Sequence, residues 1–315
     1  MKKLISLICV LAMVLALAAC GSSAPAAATE APAASTEAPA EDVSADKTFV
    51  VGICQLVQHP ALDAATQGFK DALTEALGDK VTFQEQNASG DSATCSLICN
   101  QFVSDEVDLI MANATASIQA AASATNTIPI LGTSITDYGV ALGVDNWTGV
   151  SGTNISGTSD LAPLDGQAAM IQELFPDAKT IGLLYCSGEP NSIFQADSME
   201  ALLTDMGYSV ERYTFADSND VSSVTANACS NSDVLYIPTD NTAASCTEAI
   251  NNVALSAGIP IVAGEEGLAS GCGVATLSIS YYDLGRATGE MAAEILTEGA
   301  DISTMEVRFA PAFTK

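Results

Sequence analysis

The sequence predicts an α/β protein of two similar lobes, each a parallel sheet flanked by helices, joined by a hinge. Three observations carry that expectation. The 315 residues exceed what a single compact core usually holds. From Lys47 onward, strand-like apolar runs alternate with helical stretches, the pattern of parallel sheets covered by helices. The programme then runs twice: Lys179-Thr-Ile-Gly-Leu-Leu-Tyr echoes Lys47-Thr-Phe-Val-Val-Gly-Ile, and Ser232-Asp-Val-Leu-Tyr-Ile-Pro-Thr-Asp echoes Val107-Asp-Leu-Ile-Met-Ala-Asn-Ala-Thr. A third echo, Ala257-Gly-Ile-Pro-Ile-Val-Ala-Gly against Asn126-Thr-Ile-Pro-Ile-Leu-Gly, falls at the same place in each half.

The chain starts with an export segment. Met1-Lys2-Lys3 is basic, Leu4 to Leu17 is almost unbroken apolar sequence, and the small residues Ala18-Ala19-Cys20-Gly21 follow. That order is a secretion signal over residues 1–19, too short for a good membrane span. Leu17-Ala18-Ala19-Cys20 resembles a bacterial lipobox, which makes Cys20 a lipidated mature N-terminus. A diacylated cysteine carries two chains, enough for stable anchoring. Residues 20–46 continue as Ala, Pro, Ser, Thr and Glu without aromatic residues, a disordered tether that cannot bury enough apolar surface to offset its ordering entropy. The expected location is the extracellular face of the cell membrane.

The first lobe is expected over residues 47–153. Its strands read as Thr48 to Gln55, Val81 to Gln86, Asp108 to Ala112 and Ile128 to Gly132, its helices as Ala61 to Leu77, Ser92 to Val103 and Ser117 to Thr125. Val150-Ser-Gly-Thr-Asn, rich in small residues, is read as the first crossing, with the second lobe over residues 154–279. Val274 to Ile279 offers a second crossing, and the helical segment within 280–300 returns to the first lobe. Two crossings between like lobes make a hinge on which they close around a ligand.

Without residues 1–19, eight Lys and Arg face 38 Asp and Glu. So acidic a surface argues against nucleic acid and against electrostatic attachment to anionic lipid, and favours a self-repelling monomer. Beyond Cys9 and Cys20, seven cysteines remain, an odd number without framework spacing, and are read as buried free thiols. Cys95 and Cys99 lie one helical turn apart, but no histidine or second close cysteine pair accompanies them, so neither a metal nor a cofactor is expected.

Ligands of open parallel sheets bind beyond the carboxyl ends of the strands. The turns there supply Gln55, Pro60, Thr115, Thr133 and Asp137 from the first half. The second half supplies Ser187, Glu189, Asn191, Ser192, Asp240, Asn241, Thr242 and Glu265. Hydroxyls and helix N-termini suit a carboxylate, and Asp240 with Glu189 or Glu265 suits an ammonium, so the ligand read from them is a zwitterion such as an amino acid. Each residue also has a plain reading as a helix cap. His59, the only histidine, either lines the cleft or simply precedes a proline-started helix. No Gly-x-Ser-x-Gly, phosphate-binding Gly-rich loop or His-x-x-x-His is present, and no catalytic residue is assigned.

Gln58-His-Pro-Ala-Leu-Asp-Ala, Asn87-Ala-Ser-Gly-Asp, Ala114-Thr, Pro190-Asn-Ser, Pro238-Thr-Asp-Asn-Thr-Ala-Ala-Ser and Tyr282-Asp-Leu-Gly-x-x-Thr-Gly resemble the tryptophan/tyrosine-type substrate-binding proteins of bacterial ABC transporters. The likeness runs from about Lys47 to Ala300. It implies a type I periplasmic-binding-protein fold, an aromatic or related amino acid between the lobes, and a permease with its ATPase as partners. It also implies a final helix beyond the Phe-Thr-Lys of residues 313–315, so the C-terminal segment 301–315 reads as truncated. Ring contacts would have to come from Tyr138, Tyr185, Phe194, Tyr281 or aliphatic side chains. Two other classes remain open at this point: a sensor domain for a signalling partner, and an α/β enzyme such as a racemase using Cys54 and Cys186, which sit at matching strand ends.

Overall fold

The computed structural model describes residues 47–310 and 312–315; the leader, Cys20 and the tether lie outside the described residues. The first lobe contains strands β1 (Phe49–Gln55), β2 (Val81–Asn87), β3 (Leu109–Asn113), β4 (Ile130–Ile135) and β5 (Ile155–Ser159). Helices α1 (Pro60–Leu77), α2 (Ser92–Ser104), α3 (Thr115–Ala124) and α4 (Tyr138–Leu142) connect them. The second lobe follows with α5 (Leu164–Leu174), β6 (Thr180–Cys186), α6 (Pro190–Asp205), β7 (Ser209–Phe215), α7 (Val221–Asn231) and β8 (Val234–Ile237). It ends with α8 (Asn241–Ser245), α9 (Thr247–Ala257), β9 (Ile261–Ala263), α10 (Glu266–Cys272) and β10 (Ala275–Thr276).

Strand order in the first sheet is β5-β4-β3-β1-β2, and in the second β10-β9-β8-β6-β7, with every pairing parallel. The sequence echoes therefore mark topologically equivalent strands. β1 matches β6, β3 matches β8, and the two Ile-Pro-Ile segments lead into β4 and β9.

Both faces of each sheet are covered, which is why the central strands read as continuous apolar runs. In the first lobe Val51, Ile53, Leu109 and Met111 pack with Phe69, Leu73 and Met291. On the opposite face Cys54, Ile110 and Ala112 pack with Cys95, Cys99, Phe102 and Ile118. α1 starts as its sequence predicts, with Pro60 in the first turn and Asp63 there to meet the helix dipole.

The return segment is α11 (Tyr281–Glu298), which lies along α1. Three glycines make that approach possible. A Cβ at Gly285 would collide with the Ala65 carbonyl, one at Gly68 with the Tyr282 carbonyl, and one at Gly289 with the Phe69 carbonyl at 2.6 Å. The chain then adds β12 (Arg308–Phe309) beside β5 in the first sheet, and β13 (Phe313–Thr314) pairs antiparallel with β11 (Ser278–Ile279) at the hinge.

One boundary differs from the sequence reading. The segment from residue 155 was assigned to the second lobe, but β5 pairs with β4 in the first sheet, Ile130 opposite Ile155. The first crossing comes after it, at residues 160–163. β5 is built of small polar residues because there is no room for larger ones: a Cβ at Gly157 would collide with the Gly132 carbonyl and the Tyr138 hydroxyl. The apolar run that normally announces a strand is thereby missing.

Candidate ligand-binding site

The turns leaving the carboxyl ends of both sheets converge on one inter-lobe cavity. From the first lobe come His59 and Leu62, Ser134 near the end of β4, Thr136 just after it, and Asp160 after β5. From the second come Asn191, Thr239, Asp240, Asn241, Ala244 and Glu265, with Tyr281 at the start of α11. The enclosed volume is about 10 Å³, room for about one water. Two wider chambers flank it. One, of about 270 Å³, is bounded by Leu56, Val57, Ala116, Glu189 and Asn241; the other, of about 300 Å³, by Pro60, Ala61, Glu265, Tyr281 and Tyr282. The lobes are in a closed arrangement, and Gln195 Nε2 donates across the divide to Thr136 Oγ1 at 3.3 Å.

The second-lobe wall is held by carboxylates at helix N-termini. Glu189 accepts from the backbone N–H of Asn241 (3.0 Å) and Thr242 (2.8 Å), and from the side chains of both at 2.7 and 2.8 Å. Asp240 caps the same helix through Ala243 N at 2.8 Å, while its other oxygen accepts from Cys186 N at 2.6 Å. Glu265 accepts from Gly267 N and Leu268 N, each at 2.5 Å. The bonds from the backbone N–H groups of Asn241, Thr242, Ala243, Gly267 and Leu268 satisfy orphan donors of helix starts.

These anchors settle the polarity of the cavity. Asn241 Nδ2 is committed to Glu189, so its Oδ1 must be the atom facing His59 Nε2 at 3.3 Å. That bond requires the proton on Nε2 and leaves His59 Nδ1 as an acceptor, buried and without a hydrogen-bond partner. Asn191 likewise uses Nδ2 on Glu189 (3.1 Å) and the Thr239 carbonyl (3.1 Å), leaving Oδ1 without a partner. Asp160 accepts from the Tyr281 hydroxyl on Oδ2 at 2.9 Å, while its Oδ1 has none. The Ser134 hydroxyl is also unpartnered. Three acceptors and one hydroxyl thus converge unpaired, and among the described residues no Lys or Arg lines the cavity.

Burial sets the protonation of this wall. It raises Asp160 above the ordinary carboxylate range, against the opposing bond from Tyr281. It also raises Asp240, with the Glu189 charge adding to the effect, and pushes Glu265 up to about 7. Burial lowers His59, which favours the neutral imidazole. Among the described residues, no group of three or more His, Cys, Asp or Glu is arranged to hold a metal ion.

The backbone is strained where the first lobe meets the cavity. Ser134 adopts φ 56° and Ala114 φ 85°, positions an L-residue rarely takes. Ala114 is the residue at the start of α3, tied to β4 through its N–H to the Thr133 carbonyl at 3.0 Å.

Of the residues expected from sequence, the cavity gathers Asn191, Asp240, Asn241 and Glu265. Glu189 and Thr242 line the chamber beside it, and Pro60 the chamber on the other side. Ser192 is buried behind them, accepting from Asn191 at 3.3 Å, and Ser187 donates to the Phe215 carbonyl at 3.2 Å. Gln55 does not reach the cavity. Its amide donates to Asp63 and the Val57 carbonyl and accepts from Thr66 at 2.6 Å, all inside the first lobe. Thr133 accepts from Thr158 at 3.3 Å within the core, Thr115 is buried outside the lining, and Asp137 caps α4 through Val140 N at 2.7 Å.

Sequence reasoning missed Asp160, Ser134, Thr136 and Thr239 as lining residues, and left His59 undecided. Reading β5 as a strand would have put Asp160 at a strand end, the signal used for the others. Of the candidate ring contacts, Tyr281 lines the cavity. Tyr138 is a core residue whose hydroxyl donates to the Gly132 carbonyl at 3.0 Å, and Tyr185 is buried in the second lobe. The seven cysteines among the described residues are free thiols. Cys54 points into the first-lobe core, 3.6 Å from Ser117 Oγ, whereas Cys186 lines the chamber at Asn241. They do not form a facing pair, and the two-cysteine alternative loses its geometry.

A two-lobed fold with its polar, enclosed site at facing sheet ends defines a solute-binding protein that closes on its ligand. The profile of the family described as ABC transporter substrate binding protein matches residues 50–314, and the chain belongs to that family. It is similar to the tyrosine-binding protein of Clostridioides difficile strain R20291, at 39% identity over 82% of this chain and 75% of that one. Among solved structures, the ABC domain from Streptococcus pneumoniae in complex with L-Trp matches at 32% identity and TM-score 0.80, covering 84% of this chain and 89% of that one. A ligand-free, open substrate-binding protein with adhesive properties from Clostridium difficile has 38% identity but a TM-score of 0.63, with coverage of 84% and 90%. The fold is that of type I periplasmic binding proteins. Family membership makes the chain a binding protein rather than an enzyme, working outside the cytoplasm.

Proposed function

We propose that this protein captures an aromatic amino acid between its lobes and delivers it to the permease and ATPase of an importer, tethered to the outer face of the membrane through lipidated Cys20. The carrying observation is the inter-lobe cavity, where His59 Nδ1, Asn191 Oδ1 and Asp160 Oδ1 converge as buried acceptors without partners. An ammonium, with three N–H donors and one positive charge, is their complement. The ligand carboxylate is met by a neutral donor, the unpartnered Ser134 hydroxyl. The names of the relatives at 39% and 32% identity, one tyrosine-binding and one holding L-Trp, favour an aromatic side chain. That side chain exceeds the inner volume, so it extends into a flanking chamber as the lobes adjust. The tether reading rests on Leu17-Ala18-Ala19-Cys20 at the end of the apolar leader.

The test is a thermal-shift screen of the purified protein against all common amino acids, sugars and nucleosides, followed by titration calorimetry. Ligand at a hundredfold excess over its dissociation constant adds about 2.7 kcal/mol of stability. A rise of several degrees is therefore expected with tyrosine or tryptophan. A rise with sugars or nucleosides alone would reject the amino-acid reading.

A further inference from the structure

We propose that the ligand's ammonium group takes the place of a proton on Asp160, so that each capture releases one proton and selects for a protonated amine. The proposal rests on the reading that an amino acid is the ligand. Three carboxylates line the inner cavity, and they are not equivalent. Both oxygens of Asp240 accept backbone N–H groups, as do both oxygens of Glu265. Asp160 alone keeps an unused oxygen: the residue lines the cavity at 4% exposure, Oδ2 accepts from Tyr281, and Oδ1 is buried without a hydrogen-bond partner.

An ionised carboxylate with an orphan oxygen in a buried site is costly unless a cation or a proton compensates it. No side chain supplies the cation. Asp160 is faced by Tyr281 from α11, Tyr138 from α4, Thr136 from the β4–α4 turn, His59 from the turn before α1, and Glu265 and Asp240 from the second lobe. The tyrosines and Thr136 are neutral, and the one His59 proton points away, to Asn241. Glu265 and Asp240 offer no cation either: each adds negative potential where ionised, and burial raises both. A proton on Oδ1 is the compensation left to the free site, in agreement with the upward shift that burial imposes on this group.

The exchange balances without redox chemistry. The Asp160 O–H bond breaks, its proton goes to solvent, and a ligand N–H donates to the resulting carboxylate. The site gains one negative charge as the ligand brings one positive charge.

Titration calorimetry of the purified protein with L-tyrosine and L-tryptophan, in phosphate and in Bis-Tris between pH 5.8 and 7.2, tests this. The apparent enthalpy should differ between buffers by the ionisation heat of close to one proton at the acid end. Affinity should fall up to tenfold per pH unit as the pH drops below the titration of Asp160. Asp160→Asn should bind at least tenfold more weakly and lose the buffer difference. Should that variant not fold, the wild-type buffer comparison decides alone. Binding with equal enthalpy in both buffers and pH-independent affinity would overturn the proton exchange and leave the amino-acid reading intact. Absence of binding by either amino acid at any pH would remove both.

Discussion

Glu189 shows how a residue can govern a site through the neighbours it holds. Its carboxylate gathers two backbone N–H groups and two side chains of Asn241 and Thr242, and through Asn241 it fixes which way that amide presents its oxygen to His59. Replacing it by alanine leaves those N–H groups unpaired at the start of α8, a loss of about 1–3 kcal/mol for a buried donor. Glu189→Ala should therefore lower the urea midpoint and weaken ligand binding by tenfold or more, because the amide is free to flip. A variant with normal affinity would separate capping from recognition and reject the positioning role. Asp240 belongs to the same class. Both its oxygens are held by backbone N–H groups of β6 and α8, so its position between lobes' ends is structural before it is chemical.

At the scale of elements, the pairing of α1 with α11 ties the last long helix to the first lobe and so closes the hinge. Thr288 on α11 shares a hydrogen bond with Thr158 of β5 at 2.8 Å, and Arg286 reaches Glu75 on α1 at 2.7 Å. The Gly-x-x-Thr-Gly stretch of residues 285–289, which carried part of the family likeness, is thus a packing device. Gly285→Ala would drive a methyl group into the Ala65 carbonyl, and overpacking of this kind costs roughly 1–3 kcal/mol. Denaturant unfolding should show that loss, whereas Ala287→Gly one turn face away should cost only the helix-propensity difference of about 1 kcal/mol. Equal losses would mean that the helices separate freely at this point. The sequence revealed these helices and the repeated strands because their apolar periodicity is written by burial on both sheet faces. It hid β5, where Gly157 and its small neighbours are chosen by lack of space, and with β5 it hid Asp160. It also ranked Gln55, Thr133 and Asp137 with the site, since a strand-end polar residue that braces its own lobe has the same local pattern as one that faces the cleft.

The molecule as a whole carries a formal charge of −28, and it adds buried acids to an already self-repelling surface. Glu265 illustrates the consequence for stability. Its folded pKa, about 7, lies above the ordinary value of 4.5, so folding favours the protonated acid. The stabilisation is complete below the unfolded value and is lost as the pH rises through about 7. That difference corresponds to about 3 kcal/mol, or roughly 6–12 °C in melting temperature for a chain of this size. Asp160 and Asp240 shift in the same direction and act with the same sign. Surface repulsion also grows with pH, but salt separates the two contributions. At 0.5 M salt, exposed charges are screened within roughly 4 Å, while buried ones are screened far less. The ligand-free protein at 0.5 M salt should therefore melt several degrees lower at pH 7.5 than at pH 5. Glu265→Gln should flatten part of that slope, and saturating ligand should flatten it further by placing a cation among the carboxylates. A melting temperature independent of pH at high salt would mean that the buried acids stay ionised throughout, and the electrostatic account of the closed site would fail with it.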